Sequence, residues 1–271
     1  MRDPLLPLLP GPQDADRPWL ICYGIDERVE LTGHVLSMWL AKIAGFVTSE
    51  SVPGDGVHVA LPPHWRSVAW ACGTWLAGRS VLLGSNEEIR AAGLIPELSV
   101  AFTPESLYDE AEAQALVPPA SLALRWPEEL PALVLDGAAD LMHYPDRFTP
   151  VSTAADSVCL TDLTSEAAAP AAPSAPGGTA PSGGRLTVLT RAQLAARVEA
   201  ADAPTGSGRH SASRAVLVRS PDTAQMLQEV LVAWRTGRTA VVLTSEAGDD
   251  VAAAAVRQED ITEWVGGSQP R

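Results

Sequence analysis

Residue types that carry chemistry are present in this chain, but few of them are spaced to cooperate. Five histidines occur, at His34, His58, His64, His143 and His210, and none stands at i, i+3 or i+4 from another ligand-type side chain in a metal-site pattern. His64 follows Pro62-Pro63 at the expected C-terminal end of a strand, where α/β proteins place their ligands. Trp65 beside it adds a large amphipathic ring. The pair is the candidate ligand or partner patch, against a plain helix-start reading. Asp136 before Gly137, and the pair Asp249-Asp250, could take a cation but fit a strand-end turn and a helix start as well. Cys22, Cys72 and Cys159 are odd in number, lack a CxxC pair and lie among apolar neighbours, which describes buried thiols in a reducing compartment. Trp39, Trp75 and Trp234 fall on apolar stripes, and Trp70 is compatible with either side of the surface. No Gly-x-Ser-x-Gly elbow and no Walker-type loop occurs. No catalytic constellation and no metal site is assigned.

Charge narrows the partners. Lys+Arg number 19 against 33 Asp+Glu, a formal net charge of −14 over 271 residues. Such a chain repels phosphate backbones and anionic lipid, so neither nucleic-acid binding nor membrane insertion is expected. No run approaches the ~18 apolar residues of a membrane helix, and Met1–Pro10 lacks a signal-peptide core; a cytoplasmic protein is expected. Lys42 is the single lysine among those 19 cations. Chemistry that needs a lysine elsewhere is excluded.

The elements that must position these residues come in two similar sets. Sliding the chain by 159 residues lays Val57–Leu83 on Val216–Val242 without a gap, matching Trp75 to Trp234 and Gly78-Arg79 to Gly237-Arg238. With an offset of 158, Leu31-Thr32 falls on Leu189-Thr190. Each set reads as a Thr-capped amphipathic helix, a short β-branched strand ended by proline, a second helix closed by glycine, and a buried strand. Strands are also expected over Ser99–Phe102, Ser121–Trp126 and Ala132–Asp136, with a helix over Glu105–Leu116. The expected fold is α/β: two related βαβ-type units forming doubly wound, mainly parallel sheets. Residues 166–184 hold seven Ala, four Pro and four Gly in nineteen positions, a linker composition. The expected organisation is a first α/β subdomain (1–165), that linker (166–184), a second α/β subdomain (185–265) and a tail (266–271).

The order PGDGVHVALPPHWRSVAWACGTWLAGRSVLL resembles the opening subdomain of the adenylate-forming superfamily, the AMP-binding acyl-CoA synthetases. Asp156–Ser165 (DSVCLTDLTS) resembles the strand that delivers their phosphate loop, and Arg185–Leu194 (RLTVLTRAQL) the segment after it. The likeness covers most of residues 17–245 and is closest to the short AMP-binding-like proteins of actinobacteria. It implies ATP or AMP as the family's ligand and a phosphate loop whose glycines bring backbone N–H groups to the phosphates while a lysine supplies charge. Here Thr164-Ser165 matches the start of that loop, Glu166 replaces its first glycine, and Gly177-Gly178-Thr179 keeps an echo of it with Ser182 in the lysine's place. Thr164, Ser165, Gly177, Gly178 and Thr179 are the candidate phosphate-loop remnant. The resemblance covers the front of such an enzyme without its adenine and ribose motifs. A degenerate domain acting by protein-partner or small-ligand binding, with no resident cofactor, is the favoured expectation. The alternative is an ATP-dependent acid ligase, or a nucleotide-binding enzyme completed by another chain.

Overall fold

In the computed structural model the described residues are 3–11, 13–14, 16–164, 186–201, 214–262 and 264–265. An antiparallel hairpin, β1 (Pro18–Tyr23) and β2 (Arg28–Thr32), leads into α1 (Gly33–Glu50). Thr32 caps that helix by accepting from the Val35 N–H. Then come β3 (Val57–Ala60), α2 (Trp65–Leu76), β4 (Val81–Leu83), α3 (Asn86–Ala92) and β5 (Leu98–Ala101). Short strands β6 (Gln114–Leu116) and β7 (Leu135–Asp136) extend the sheet. The second set begins with the antiparallel pair β8 (Val158–Asp162) and β9 (Thr187–Thr190), followed by α4 (Arg191–Ala201). It continues through β10 (Ala215–Val218), α5 (Thr223–Arg235), β11 (Thr239–Leu243), α6 (Asp249–Gln258) and β12 (Trp264–Val265).

These strands build two sheets, ordered β7-β6-β5-β3-β4-β8-β9 and β12-β10-β11-β1-β2. All pairings are parallel except β1–β2 and β8–β9 at one edge of each sheet. The period of two along the strands assigns the layers. Ala240 and Val242 of β11 face a large core with α1, α2, α4 and α5, while Val241 and Leu243 face α6 on the far side. Likewise Val81 and Leu83 face the central helices and Leu82 packs with Ile89 of α3. The molecule is thus five layers deep, α3, sheet, four helices, sheet, α6, as the α/β expectation requires.

A shift of 159 residues carries β3, α2 and β4 onto β10, α5 and β11, which hold matching places in their sheets. The hairpins cross over. Strands β1–β2 join the sheet of β10 and β11, whereas β8–β9 join that of β3 and β4. Residues 166–184 therefore do not separate one sheet from the other. Gly78 and Gly237, each closing its helix, both carry positive φ, +77° and +72°.

Two expected elements are absent. No helix forms over Glu105–Leu116; after a single turn at Pro104–Ser106 the chain buries Leu107 and Tyr108 and pairs Gln114–Leu116 with β5, so sheet pairing overrides helix propensity. Ser121–Trp126 is not a strand, because the carbonyls of Ala120, Ser121 and Ala123 are taken by the Arg66 guanidinium instead of a ladder. The expected strand at Ala132–Asp136 shrinks to Leu135–Asp136, with Leu133 at φ +67°.

Candidate functional site

In doubly wound sheets ligands bind at the carboxyl ends of the strands, at the point where neighbouring connections leave toward opposite faces. Strand β3 leads to α2 on the inner face and β4 to α3 on the outer face; β10 and β11 do the same with α5 and α6. The structure sets these two crevices against each other. Thr223, at the start of α5, donates its hydroxyl to the Leu61 carbonyl at the end of β3, at 2.8 Å. Between them runs a cleft with two adjoining hollows of about 620 and 430 Å³ that share Pro62, Pro63 and Ser245 in their walls.

The walls are acidic. Glu87, Glu105 and Asp222 line the larger hollow and Asp26, Glu27 and Glu246 the smaller, and among the described residues no Lys or Arg lines either. The helix N-termini opening on the cleft, natural anion sites, are occupied by the chain's own side chains. Asp222 accepts from the Gln225 N–H of α5 at 2.8 Å. Ser85 Oγ and Glu88 form a capping box on α3, the carboxylate taking both the N–H and hydroxyl of Ser85 at 2.7 and 2.9 Å. His64 Nδ1 accepts from the Arg66 N–H at 3.1 Å, and Ser67 answers with a bond from the His64 N–H. Two of the three caps are carboxylates set against the positive end of a helix dipole.

His64 lines the smaller hollow, as its position after Pro62-Pro63 suggested, but it is 3% exposed. Because Nδ1 accepts, Nε2 carries the proton, 3.2 Å from Ser121 Oγ. Ser121 in turn donates to Glu27 at 2.6 Å. Burial, reinforced by the Arg66 guanidinium, pushes the His64 pKa down to about 4, so the ring is neutral at physiological pH. Trp65, the other member of the candidate patch, is not at the surface. It is 2% exposed, edge-on to Trp39 and covered by Arg66 4.6 Å from its ring centroid, because the capping box at His64 turns its side chain into the central layer. Trp70 is buried against Phe46.

Thr164 lies on the cleft wall just past β8, its N–H and hydroxyl both held by Asp162 Oδ1. Ser165, Gly177, Gly178 and Thr179 lie outside the described residues, as does His210. Lys42 lines neither hollow. Its ammonium pairs with Asp146 at 2.6 Å and donates to the Tyr144 carbonyl. Asp136 receives N–H bonds from Trp126, Ala138 and Ala139, the work of a turn residue, and Asp249 pairs with Arg219 at the start of α6. All three cysteines are buried and free, with burial pushing the Cys22 thiol up to about 12. No described helix is long and apolar enough to cross a membrane.

Several participants are invisible to motif reading. Arg66, Ser121 and Glu27 come from a helix, a loop and a hairpin turn, and only the fold brings them together. His58 is another: wholly buried in β3, it lies 3.0 Å from Ser99 Oγ through Nδ1 and 3.0 Å from the Gly84 carbonyl through Nε2. The Tyr108 N–H donates to Ser99 Oγ, leaving the hydroxyl proton for Nδ1 and the imidazole proton for Gly84. That chain fixes the turn at Gly84 (φ +153°), part of the cleft wall.

No family model matches the chain. A stretch of 59 residues is 36% identical to a Mycobacterium tuberculosis protein whose name gives a family number and no activity, covering 21% of this chain and 24% of that one. Among solved structures, an acyl-CoA synthetase of Brucella canis superposes with a TM-score of 0.75 at 16% identity, over 97% of this chain and 47% of that one. Acetoacetyl-CoA synthetase of Streptomyces lividans gives 0.67 at 16% identity over 96% and 44%. Coronafacic acid ligase of Pectobacterium brasiliense gives 0.64 at 12% over 90% and 46%. At these identities the likeness is one of fold. The chain spans about half the length of these enzymes, and the matched stretch covers about a quarter of the mycobacterial protein.

Proposed function

We propose that this chain is a degenerate AMP-binding, acyl-CoA-synthetase-like domain that does not run a ligase reaction by itself and acts by binding a protein partner or a small ligand at its cleft. The acyl-CoA-synthetase fold supports the family relationship. The 36% identity to the mycobacterial stretch and an arginine-for-lysine composition support kinship with short actinobacterial proteins of that kind.

The charge of the cleft carries the reading. Binding ATP phosphates and steadying charge on a transferring nucleotide call for cations and free helix-end amides. Here the helix ends are capped from within, two of them by carboxylates, and among the described residues six acidic side chains and no Lys or Arg stand on the walls. Thr164, the described member of the candidate phosphate-loop remnant, lies on the cleft wall. Calorimetry with Mg·ATP and with AMP, beside pyrophosphate exchange over a panel of carboxylic acids, tests it. No heat and no exchange are expected, with 166–184 present or deleted; exchange by the purified chain overturns the reading.

The second reading, an ATP-dependent acid ligase or nucleotide-using enzyme completed by another chain, is favoured by the fold likeness reaching across about half of such enzymes. It requires exchange activity that appears only when a co-purifying chain is added.

A further inference from the structure

The segment 118–125 connects β6 toward β7 and crosses the end of the cleft. Its ends are fixed: Val117 is buried and donates to the Ala101 carbonyl, and the Trp126 N–H donates to Asp136. Between them its two leucines contribute little grip, since Leu122 and Leu124 are 81% and 66% exposed; Pro118 at one end is buried. What holds the segment is polar. Arg66 Nη2, 2% exposed as a residue, donates to the Ala120, Ser121 and Ala123 carbonyls at 3.2, 3.2 and 2.8 Å. Ser121 then reaches to the other sheet, giving its N–H and hydroxyl to the two Glu27 carboxylate oxygens at 3.2 and 2.6 Å. Glu27 stands in the turn between β1 and β2, and its side chain is 37% exposed. Glu27, His64 and Ala120 all line the smaller hollow.

We propose that residues 118–125 form a strap gating the smaller hollow of the cleft, with Arg66 as its fixed anchor and the Glu27–Ser121 contact as its releasable latch. The two contacts differ in kind. The anchor is a buried cation sharing three carbonyls, and losing it strands a charge. The latch is a half-exposed carboxylate that water can solvate when it lets go, and release gives up little apolar burial, because the strap's leucines already face solvent and its buried Pro118 sits at the end fixed by Val117. The latch also spans from one sheet's loops to the other's, so letting go widens the hollow without disturbing either sheet. This device does not depend on what the cleft binds.

Hydrogen exchange read by mass spectrometry tests the strap, in the wild-type chain and in Glu27→Ala and Ser121→Ala. Each variant is expected to exchange at least ten-fold faster over 118–125 while peptides from α2 and β3 keep wild-type rates. A Pro63→Cys background, with the thiol in the wall of both hollows, is expected to react with a bulky maleimide at least ten-fold faster once Glu27→Ala is added. Wild-type exchange over 118–125 in both latch variants overturns the proposal. So does an equal acceleration in α2, which would make the contact a staple of the whole fold, or an unchanged labelling rate.

Discussion

Arg191 and Asp3, 188 positions apart, meet at 2.7 Å with both side chains wholly buried. The guanidinium also donates to the Trp75 and Arg79 carbonyls, and Asp3 receives the Leu5 and Thr153 N–H groups. One ion pair therefore joins the N-terminal segment, the end of α2, the start of α4 and the loop before β8. Neither the repeat nor the family likeness points to it.

Removing one partner of this pair leaves a buried charge without compensation. Arg191→Ala or Asp3→Ala is expected to lower unfolding free energy by about 3–5 kcal/mol. The double variant should lose less than the sum of the two, since neither charge is then stranded. Urea titrations of the three proteins check both statements, and strict additivity would mean the two groups do not interact.

How far the sequence reaches depends on range. Periodicity and capping locate α1, α2, α5 and the strands around them, because the stripe of Leu36, Leu40 and Ile43, the Thr32 cap and the Gly78 stop act over a few residues. The exchange of hairpins between the sheets leaves no local mark, since it is decided by pairings far along the chain, β1 with β11 and β8 with β4. The same limit applies to the site. The place of His64 after a strand is readable in the chain, whereas the burial of Trp65 depends on Trp39 and Arg66, which only the folded layer brings to it. The region between β5 and β8 misled most. Its turns are held by Arg66 and Asp136 rather than by a regular ladder, and no pattern of period two or 3.6 encodes that.

The buried histidines set a pH dependence of known sign. Burial holds both His58 and His64 below the ordinary histidine value, His64 down to about 4. Below about pH 6.5 the unfolded chain takes up protons that the folded chain refuses. Stability is therefore lost as pH falls from there toward the folded values, by up to ~1.4 kcal/mol per pH unit for each histidine. Glu97 and Glu229, raised by burial, act oppositely, gaining stability as pH falls through their folded values. The comparison isolates the histidine part: His64→Gln should flatten the stability curve between pH 6.5 and 4 relative to wild type. Parallel curves for the two proteins would refute the assignment.

Acidity of the cleft walls should be titratable by mutation. Glu87→Lys with Glu105→Lys replaces two anions of the larger hollow by cations. A pair of charges 4 Å apart in water is worth about 1 kcal/mol, so the double variant should bind inorganic tripolyphosphate at least ten-fold more tightly than wild type at low salt. The gain should vanish at high ionic strength. Calorimetric titration at two salt concentrations reads it directly, and equal affinity in the two proteins would remove wall charge as a barrier to polyphosphate binding.

Gly73 decides how closely α1 and α2 approach. A methyl group there would lie 2.5 Å from Ile43 Cγ2, 2.7 Å from Ile43 Cβ and 3.2 Å from the Leu40 carbonyl oxygen. Alanine in place of glycine normally favours a helix by about 1 kcal/mol. Here a β-branched side chain and a backbone oxygen must give way in a core where Ile43 and Leu40 are 1% exposed, and overpacking of this kind costs about 1–3 kcal/mol. The clash outweighs the propensity, so Gly73→Ala should lower Tm. Its counterpart 159 positions on is Val232 in α5, which fills the same helix position with a branched side chain at 9% exposure. The close approach at Gly73 is thus particular to the α1–α2 contact, and Val232→Ala should cost no more than a core truncation, about 0.5–3 kcal/mol. A Gly73→Ala protein melting above wild type would show that the helices separate freely.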